Sequence, residues 1–135
     1  MRFIPTRIHA VLDYLIGIAL IAAPWLFGFA DDGGAAMWIP IILGIGLILY
    51  SAITDYELSI ADTLPVPAHL GVDFIAGLFL AVSPWLFDYA DTVWAPHVVV
   101  GVVEMLAAIM TETRRRDRPM TTERHEPRAG EPVMR

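Results

Sequence analysis

The sequence contains no cysteine and no lysine, and no arginine occurs between Ile8 and Thr113. The absence of cysteine excludes a disulfide framework, a thiolate nucleophile and any zinc or iron–sulfur site built on cysteine. A net charge of -6 also argues against the basic surface that nucleic-acid binding needs. What the chain has in excess is apolar side chains, with 56% hydrophobic residues and a mean hydropathy of +0.58. A chain of 135 residues with this composition is typical of an integral membrane protein.

The nine arginines lie near the two ends of the chain. Residues 1–112 carry a formal charge of -9, and residues 113–135 carry +3. Four apolar runs fill the region between the arginines, at residues 8–30, 35–54, 68–90 and 94–112. Each run would measure about 28–35 Å as an α-helix, which matches a hydrocarbon core of about 30 Å. We therefore predict an all-α fold, a four-helix transmembrane bundle in residues 1–112. A soluble bundle is disfavoured because these runs lack a charged face.

Four spans place both termini on the same side of the membrane, and the arginines at the flanks predict that this side is the cytoplasm. A signal peptide is the alternative for the first run, but that run is too long and it recurs later in the chain. All four tryptophans fall near the outer ends of predicted spans, which favours a membrane-anchoring belt over an aromatic cage for a substrate. Residues 113–135 are predicted to form a disordered, arginine-rich cytoplasmic tail that contacts anionic lipid rather than nucleic acid.

An internal repeat relates the first predicted span to the third. At an offset of 60 residues, eleven of the 28 positions from 5 to 32 are identical. Many of the identities advance by three or four residues, which is the spacing of one face of an α-helix. On this face the first copy carries His9, Asp13, Gly17, Leu20, Pro24, Phe27 and Asp31. We predict two helical hairpins, at about residues 5–57 and 65–112, that insert into the membrane in the same orientation.

Glycines recur at equivalent positions of both hairpins. Gly17 corresponds to Gly77 on the repeated face. An offset of 57 relates the second span to the fourth less closely, through the pairs Gly44 and Gly101, Leu49 and Leu106, and Thr54 and Thr111. Small residues let membrane helices approach closely, so the four paired glycines are predicted to be helix-packing positions.

Each hairpin also carries a Pro-Trp pair late in its first helix. The two segments are Ala23-Pro24-Trp25 and Ser83-Pro84-Trp85. The prolines are expected to kink or end their helices near the outer leaflet. This doubled motif, on matching hairpins over residues 5–112, resembles the SPW repeat family of small bacterial integral membrane proteins. The resemblance implies a bacterial inner-membrane location and a two-helix repeat, and it implies no established biochemical activity.

Two His-Asp pairs are the first candidate site for chemistry. His9 precedes Asp13 by four residues, and His69 precedes Asp73 by four, so each pair shares one helix face. Because a carboxylate in hydrocarbon costs about 2.5–3.5 kcal/mol, these residues are expected to face the bundle interior near its cytoplasmic end. One interpretation is a structural clamp between the first and third helices. The other is a symmetric proton or cation site, and two histidines with two aspartates could hold a divalent metal.

Glu104 is predicted to be the ionisable group deepest in the membrane. It shares a helix stripe with Gly101 and Ala108, so it should face neighbouring helices. Its counterpart in the second span is Leu47, so the repeat does not require a carboxyl group there. It is interpreted either as a hydrogen-bonding group that holds helices together or as a group that handles protons.

No motif typical of catalysis occurs in the sequence, so we do not expect an enzyme, and we expect no cofactor and no bound metal. The leading hypothesis is a small structural or accessory membrane protein that contacts lipid and assembles with itself or with an unidentified membrane protein. The alternative is a proton- or cation-linked carrier with an intramembrane polar site. That site would contain His9, Asp13, His69, Asp73 and Glu104. A lone four-helix bundle is narrow for a permeation path, so transport would favour assembly.

Overall fold

Each long apolar run folds into one α-helix, the conformation that satisfies every backbone polar group within a single segment. The computed structural model describes residues 2–113, and the predicted tail beyond residue 113 lies outside the described residues. The four helices are α1 (Thr6–Leu26), α2 (Gly34–Ala52), α3 (Val66–Leu86) and α4 (Ala95–Met110). A single 3-10 turn, Ala30–Asp32, precedes α2, and within residues 2–113 only two isolated β-bridges occur. The prediction of an all-α four-helix bundle is confirmed.

Proline and left-handed backbone set the ends of α1 and α3. Pro24 and Pro84 lie in the last turn of their helices, and each helix ends two residues later. The chain then turns through residues with positive φ, at Gly28 (73°) and at its repeat counterpart Asp88 (60°). As a result α1 and α3 end four residues before their predicted limits. Both helices also begin two residues before the predicted spans, directly after Pro5 and Pro65.

Three of the helices, α1, α2 and α3, are long and apolar enough to cross a membrane, with mean hydropathies of 1.6 to 2.0. The fourth, α4, is apolar but has 16 residues, which is about 24 Å of helix. It is shorter than the predicted run 94–112 because Trp94 only caps its start and Thr111 is extended. Large apolar side chains are exposed on all four helices, as a lipid-facing surface requires. Examples are Leu15, Ile18, Ile42, Leu49, Ile75 and Val99.

Within each hairpin the two helices pack closely through the predicted glycines. A Cβ atom added to Gly44 would lie 2.6 Å from the carbonyl oxygen of Gly17. A Cβ atom added to Gly77 would lie 2.7 Å from the carbonyl oxygen of Gly101. Both distances are too short for real Cβ contacts, so a larger residue at either position would push the helices of that hairpin apart.

The two hairpins make fewer close backbone contacts with each other than the two helices of each hairpin make within it. At one end of the bundle, the segment before α1 lies against the end of α4, where the amide of Glu112 donates to the carbonyl of Ile4 at 2.9 Å. At the same end, the segment before α3 lies against the residues that follow α2, where Leu64 bridges Thr54. Here, where α1 and α3 begin, the hairpins meet through buried side chains.

Candidate functional site

The two repeated His-Asp pairs come together in one cluster, the His-Asp quartet, made of His9, Asp13, His69 and Asp73. All four residues are 0–1% exposed. The Nε2 atom of His9 lies 3.0 Å from Asp73 Oδ2 and 3.3 Å from Asp13 Oδ1. The Nε2 atom of His69 lies 3.0 Å from Asp13 Oδ2 and 3.0 Å from Asp73 Oδ2. Each histidine therefore contacts the aspartate of its own helix and the aspartate of the other hairpin.

Two threonines hold the other side of the imidazole rings. Thr111, just after α4, lies 2.9 Å from the Nδ1 atom of His9. Thr54, after α2, lies 2.7 Å from the Nδ1 atom of His69. Each threonine belongs to the opposite hairpin from the histidine it contacts. Both nitrogens of each ring are thus engaged across the interface between the repeats.

The C-terminal turn of α2 supplies two further hydroxyls. Tyr50 donates to Asp73 Oδ1 at 2.5 Å, and Ser51 donates to Asp13 Oδ2 at 2.9 Å. At the equivalent positions α4 carries alanines, so the hydroxyl support comes from one hairpin alone. One oxygen of each carboxylate is therefore held by a hydroxyl group.

The connection between α2 and α3 covers the quartet. Tyr56 is 1% exposed, and its ring centroid lies 5.9 Å from that of His9 and 4.9 Å from that of His69. Burial and the nearby carboxylates raise the pKa of the Tyr56 phenol far above its usual range, so the ring packs as a neutral group. Next to it, Glu57 accepts a hydrogen bond from the hydroxyl of Thr6 at 2.8 Å, which ties this connection to the start of α1. The quartet is sealed from solvent at this end.

Glu104 lies near the quartet without joining it. Both carboxyl oxygens are buried, and neither has a hydrogen-bond partner among residues 2–113. Glu104 and Asp73 line the same cavity of about 240 Å³ between α2 and α3. The remaining lining is mostly aliphatic and includes Leu47, the repeat counterpart of Glu104. The sequence grouped Glu104 with the two His-Asp pairs, whereas the structure gives it a separate place beside them.

The Pro-Trp segments lie at the opposite end of α1 and α3. Ser83 contacts the hydroxyl of Tyr89 at 2.5 Å, and it also donates to the carbonyl of Leu80. The first copy has Ala23 and Phe29 at the positions of Ser83 and Tyr89, so this hydrogen bond exists in one repeat only.

Tryptophan side chains remain on the surface at this same end. The predicted belt residues are between 51% and 61% exposed, namely Trp25, Trp38, Trp85 and Trp94. His97 is buried beneath this end, and its ring lies 5.5 Å from Phe29 and 5.2 Å from Tyr89. The His97 Nε2 atom lies 3.2 Å from the carbonyl oxygen of Ala36, which links the two hairpins a second time.

Several residues around the quartet were not identified from the sequence. Thr54 and Thr111 could have been identified, because they recur at the offset of 57 residues that relates the second and fourth helices. Tyr50 and Ser51 could not be identified in this way, because alanines occupy the equivalent positions of the other repeat. Tyr56 could not either, because it has no aromatic counterpart there.

The family comparison covers all of these elements. The SPW repeat domain matches residues 7–111, a region that includes the quartet, its two threonines and both Pro-Trp segments. The chain belongs to the SPW repeat family. No match was found among curated proteins or among solved structures. The family's Ser-Pro-Trp segment is complete in the second repeat, where the serine hydroxyl bonds within its own repeat and lies at the opposite end of the helix from the quartet.

Proposed function

We propose that this SPW repeat protein is a non-catalytic membrane protein with a structural or accessory role, in which the His-Asp quartet clamps the two hairpins together. The observation that carries the proposal is the pair of cross-hairpin contacts, His9 to Asp73 and His69 to Asp13, both at 3.0 Å. Elsewhere the hairpins make few close backbone contacts, so buried polar side chains supply much of their connection.

Burial supports a structural role over a catalytic one. The four side chains are 0–1% exposed, and Tyr56 packs against both histidine rings. The cavity beside Asp73 is small and mostly aliphatic. These features favour a site that stabilises the bundle over one that turns over a substrate.

The proposed setting is a bacterial inner membrane, with both hairpins inserted the same way up and both termini in the cytoplasm. The arginine distribution supports this orientation, because cytoplasmic flanks of membrane proteins are enriched in positive charge. The apolar faces of the helices would contact lipid. Any accessory role would be exerted by binding a second copy of the chain or another membrane protein. Nucleic acid is not among the proposed partners.

The clamp is tested with the double change Asp13→Asn and Asp73→Asn. Removing one side of a buried ion pair costs about 3–5 kcal/mol, so the free energy of unfolding in detergent micelles should fall by at least about 3 kcal/mol. The matched control is Asp31→Asn with Asp91→Asn, which removes an exposed repeat pair of carboxylates at the other end. An unchanged unfolding free energy in the quartet variant would contradict the clamp.

A cation-linked carrier is the second candidate, and one observation favours it. Glu104 and Asp73 line one cavity, and the Glu104 carboxyl oxygens are buried without a hydrogen-bond partner among residues 2–113. Intramembrane carboxyls of this kind commonly mark ion pathways. Ion flux into liposomes should then disappear in Glu104→Gln while the protein stays folded. The absence of flux from the unmodified protein would remove this candidate.

A further inference from the structure

The hydrogen bonds of the two threonines fix the state of the imidazole rings that they contact. Thr54 donates its only hydroxyl hydrogen to the carbonyl oxygen of Tyr50, and Thr111 donates its own to that of Ala107. Neither hydroxyl has a second hydrogen to give to a histidine. The Nδ1 atoms of His9 and His69 must therefore carry the hydrogens of these bonds, and both Nε2 atoms point toward the carboxylates.

The Nε2 atoms converge with the carboxylates around one point. His69 Nε2 is 3.0 Å from an oxygen of Asp13 and 3.0 Å from an oxygen of Asp73, yet it makes an aligned hydrogen bond to neither. Asp13 Oδ1 is also buried without a hydrogen-bond partner among residues 2–113, at 3.3 Å from His9 Nε2. One ligand atom from each quartet residue lies within 4.8 Å of all the others.

We propose that the His-Asp quartet is a closed, four-coordinate binding site for a divalent first-row transition metal such as Zn²⁺. The proposed ligands are His9 Nε2, His69 Nε2, Asp73 Oδ2 and one oxygen of Asp13. This proposal deepens the proposed clamp, on which it rests, by naming the ligand that joins the two hairpins.

The spacing of the ligand atoms suits such an ion. A tetrahedral zinc ion with bonds of about 2.0–2.1 Å places its ligand atoms about 3.3 Å apart. With Asp13 Oδ1 as the fourth ligand, His9 Nε2 lies 3.0 Å from Asp73 Oδ2 and 3.3 Å from Asp13 Oδ1, and His69 Nε2 lies 3.0 Å from Asp73 Oδ2. Mixed imidazole and carboxylate ligands favour zinc and its neighbours over calcium and magnesium, which prefer oxygen ligands alone.

The groups around the quartet are those that orient metal ligands. Metal-binding histidines commonly donate their second ring N–H to an oxygen acceptor, as His9 and His69 do toward the two threonines. The second oxygen of each carboxylate is likewise held, by Tyr50 and Ser51. Charge would be balanced in the metal-bound state, because two carboxylates and two imidazoles that have given up their Nε2 hydrogens carry -2, which one divalent cation cancels.

The first test measures zinc in the full chain, purified in detergent without an affinity tag. After refolding with Zn²⁺ and removal of free ions, elemental analysis should find one zinc ion per chain. The double variant His9→Gln with His69→Gln should lose it. The matched control His97→Gln removes a buried histidine at the other end and should keep it. A chelator should lower the melting temperature of the unmodified protein, and Zn²⁺, but not Mg²⁺, should restore it.

A second variant keeps the proposal testable if the histidine variant fails to fold. Thr54→Val with Thr111→Val retains all four ligands and removes the hydrogen bonds that orient the rings, so zinc affinity should fall by about 10–100-fold. Equal zinc content in the unmodified protein and the ligand variant would overturn the metal site. So would ¹⁵N spectra of the zinc-treated protein with both nitrogens of each ring protonated, since the quartet would then consist of ion pairs.

The two proposals fail in different ways. If zinc is absent but Asp13→Asn with Asp73→Asn still destabilises the protein, the metal site is wrong and the clamp stands. If zinc binds but the aspartate variant unfolds at the same free energy as the unmodified protein, the site binds metal without clamping the hairpins.

Discussion

Replacing Glu104 with leucine should stabilise the protein, because the change copies the other repeat. Leu47 occupies the equivalent position and lines the same cavity. Both oxygens of Glu104 are buried without a hydrogen-bond partner among residues 2–113. A buried polar group without a partner costs about 1–3 kcal/mol, whereas leucine has a similar size and no group to satisfy. We therefore expect Glu104→Leu to raise the free energy of unfolding by about 1–3 kcal/mol.

The assay is reversible unfolding in mixed detergent micelles, followed by helix content and tryptophan fluorescence. The matched control is Leu47→Glu, which adds a second carboxyl group to the same cavity and should lower the free energy of unfolding by about 1–3 kcal/mol. A destabilised Glu104→Leu protein would refute the reasoning, because it would mean that the carboxyl group makes a favourable contact in the folded state. If Glu104→Leu is more stable but loses an ion flux that the unmodified protein shows in liposomes, the carboxyl group would be assigned to transport.

Three further predictions concern the same helices and connections. Gly77→Ala should lower the free energy of unfolding by about 1–3 kcal/mol, because the added Cβ would lie 2.7 Å from the facing helix. The control is Gly71→Ala, whose added Cβ would have no atom within 4 Å, and it should be neutral or slightly stabilising in the same assay. Asp88→Gly should raise the melting temperature slightly, because φ is 60° there and glycine carries no Cβ penalty. Tyr50→Phe should lower the free energy of unfolding by about 1.5–3 kcal/mol, because the variant loses a hydrogen bond to a carboxylate. Tyr56→Phe should instead raise it by about 1–3 kcal/mol, because it removes a buried hydroxyl that has no hydrogen-bond partner among residues 2–113.

The sequence was sufficient to predict the helices because apolar length and repeat spacing are local properties. Helix ends were less predictable, since they depend on backbone conformation after the last turn. The positive φ at Gly28 could be expected from glycine, but the same conformation at Asp88 could not. The end of α4 is set by Thr111, which has an extended backbone and whose hydroxyl contacts His9.

The helical spacing predicted which residues share a face, and it left open whether the two faces meet. His9 and Asp13 lie on one face by their separation of four residues, and that much follows from sequence. Their contacts with His69 and Asp73 depend on how the hairpins pack, which the spacing does not specify. The separate position of Glu104 depends on the same packing, because its helix turns it into a cavity beside the quartet.

The differences between the repeats clarify why the domain is doubled. The copies diverge at the Ser83–Tyr89 bond and at Glu104, but each retains one histidine, one aspartate and one threonine of the quartet region. Each threonine bonds the histidine of the other hairpin, and each histidine contacts the aspartate of the other hairpin. A single hairpin therefore supplies one partner of each of these cross-hairpin contacts and can complete none of them alone. The repeated histidine, aspartate and threonine make these contacts only where two copies meet, so the doubling and the buried quartet have one physical explanation.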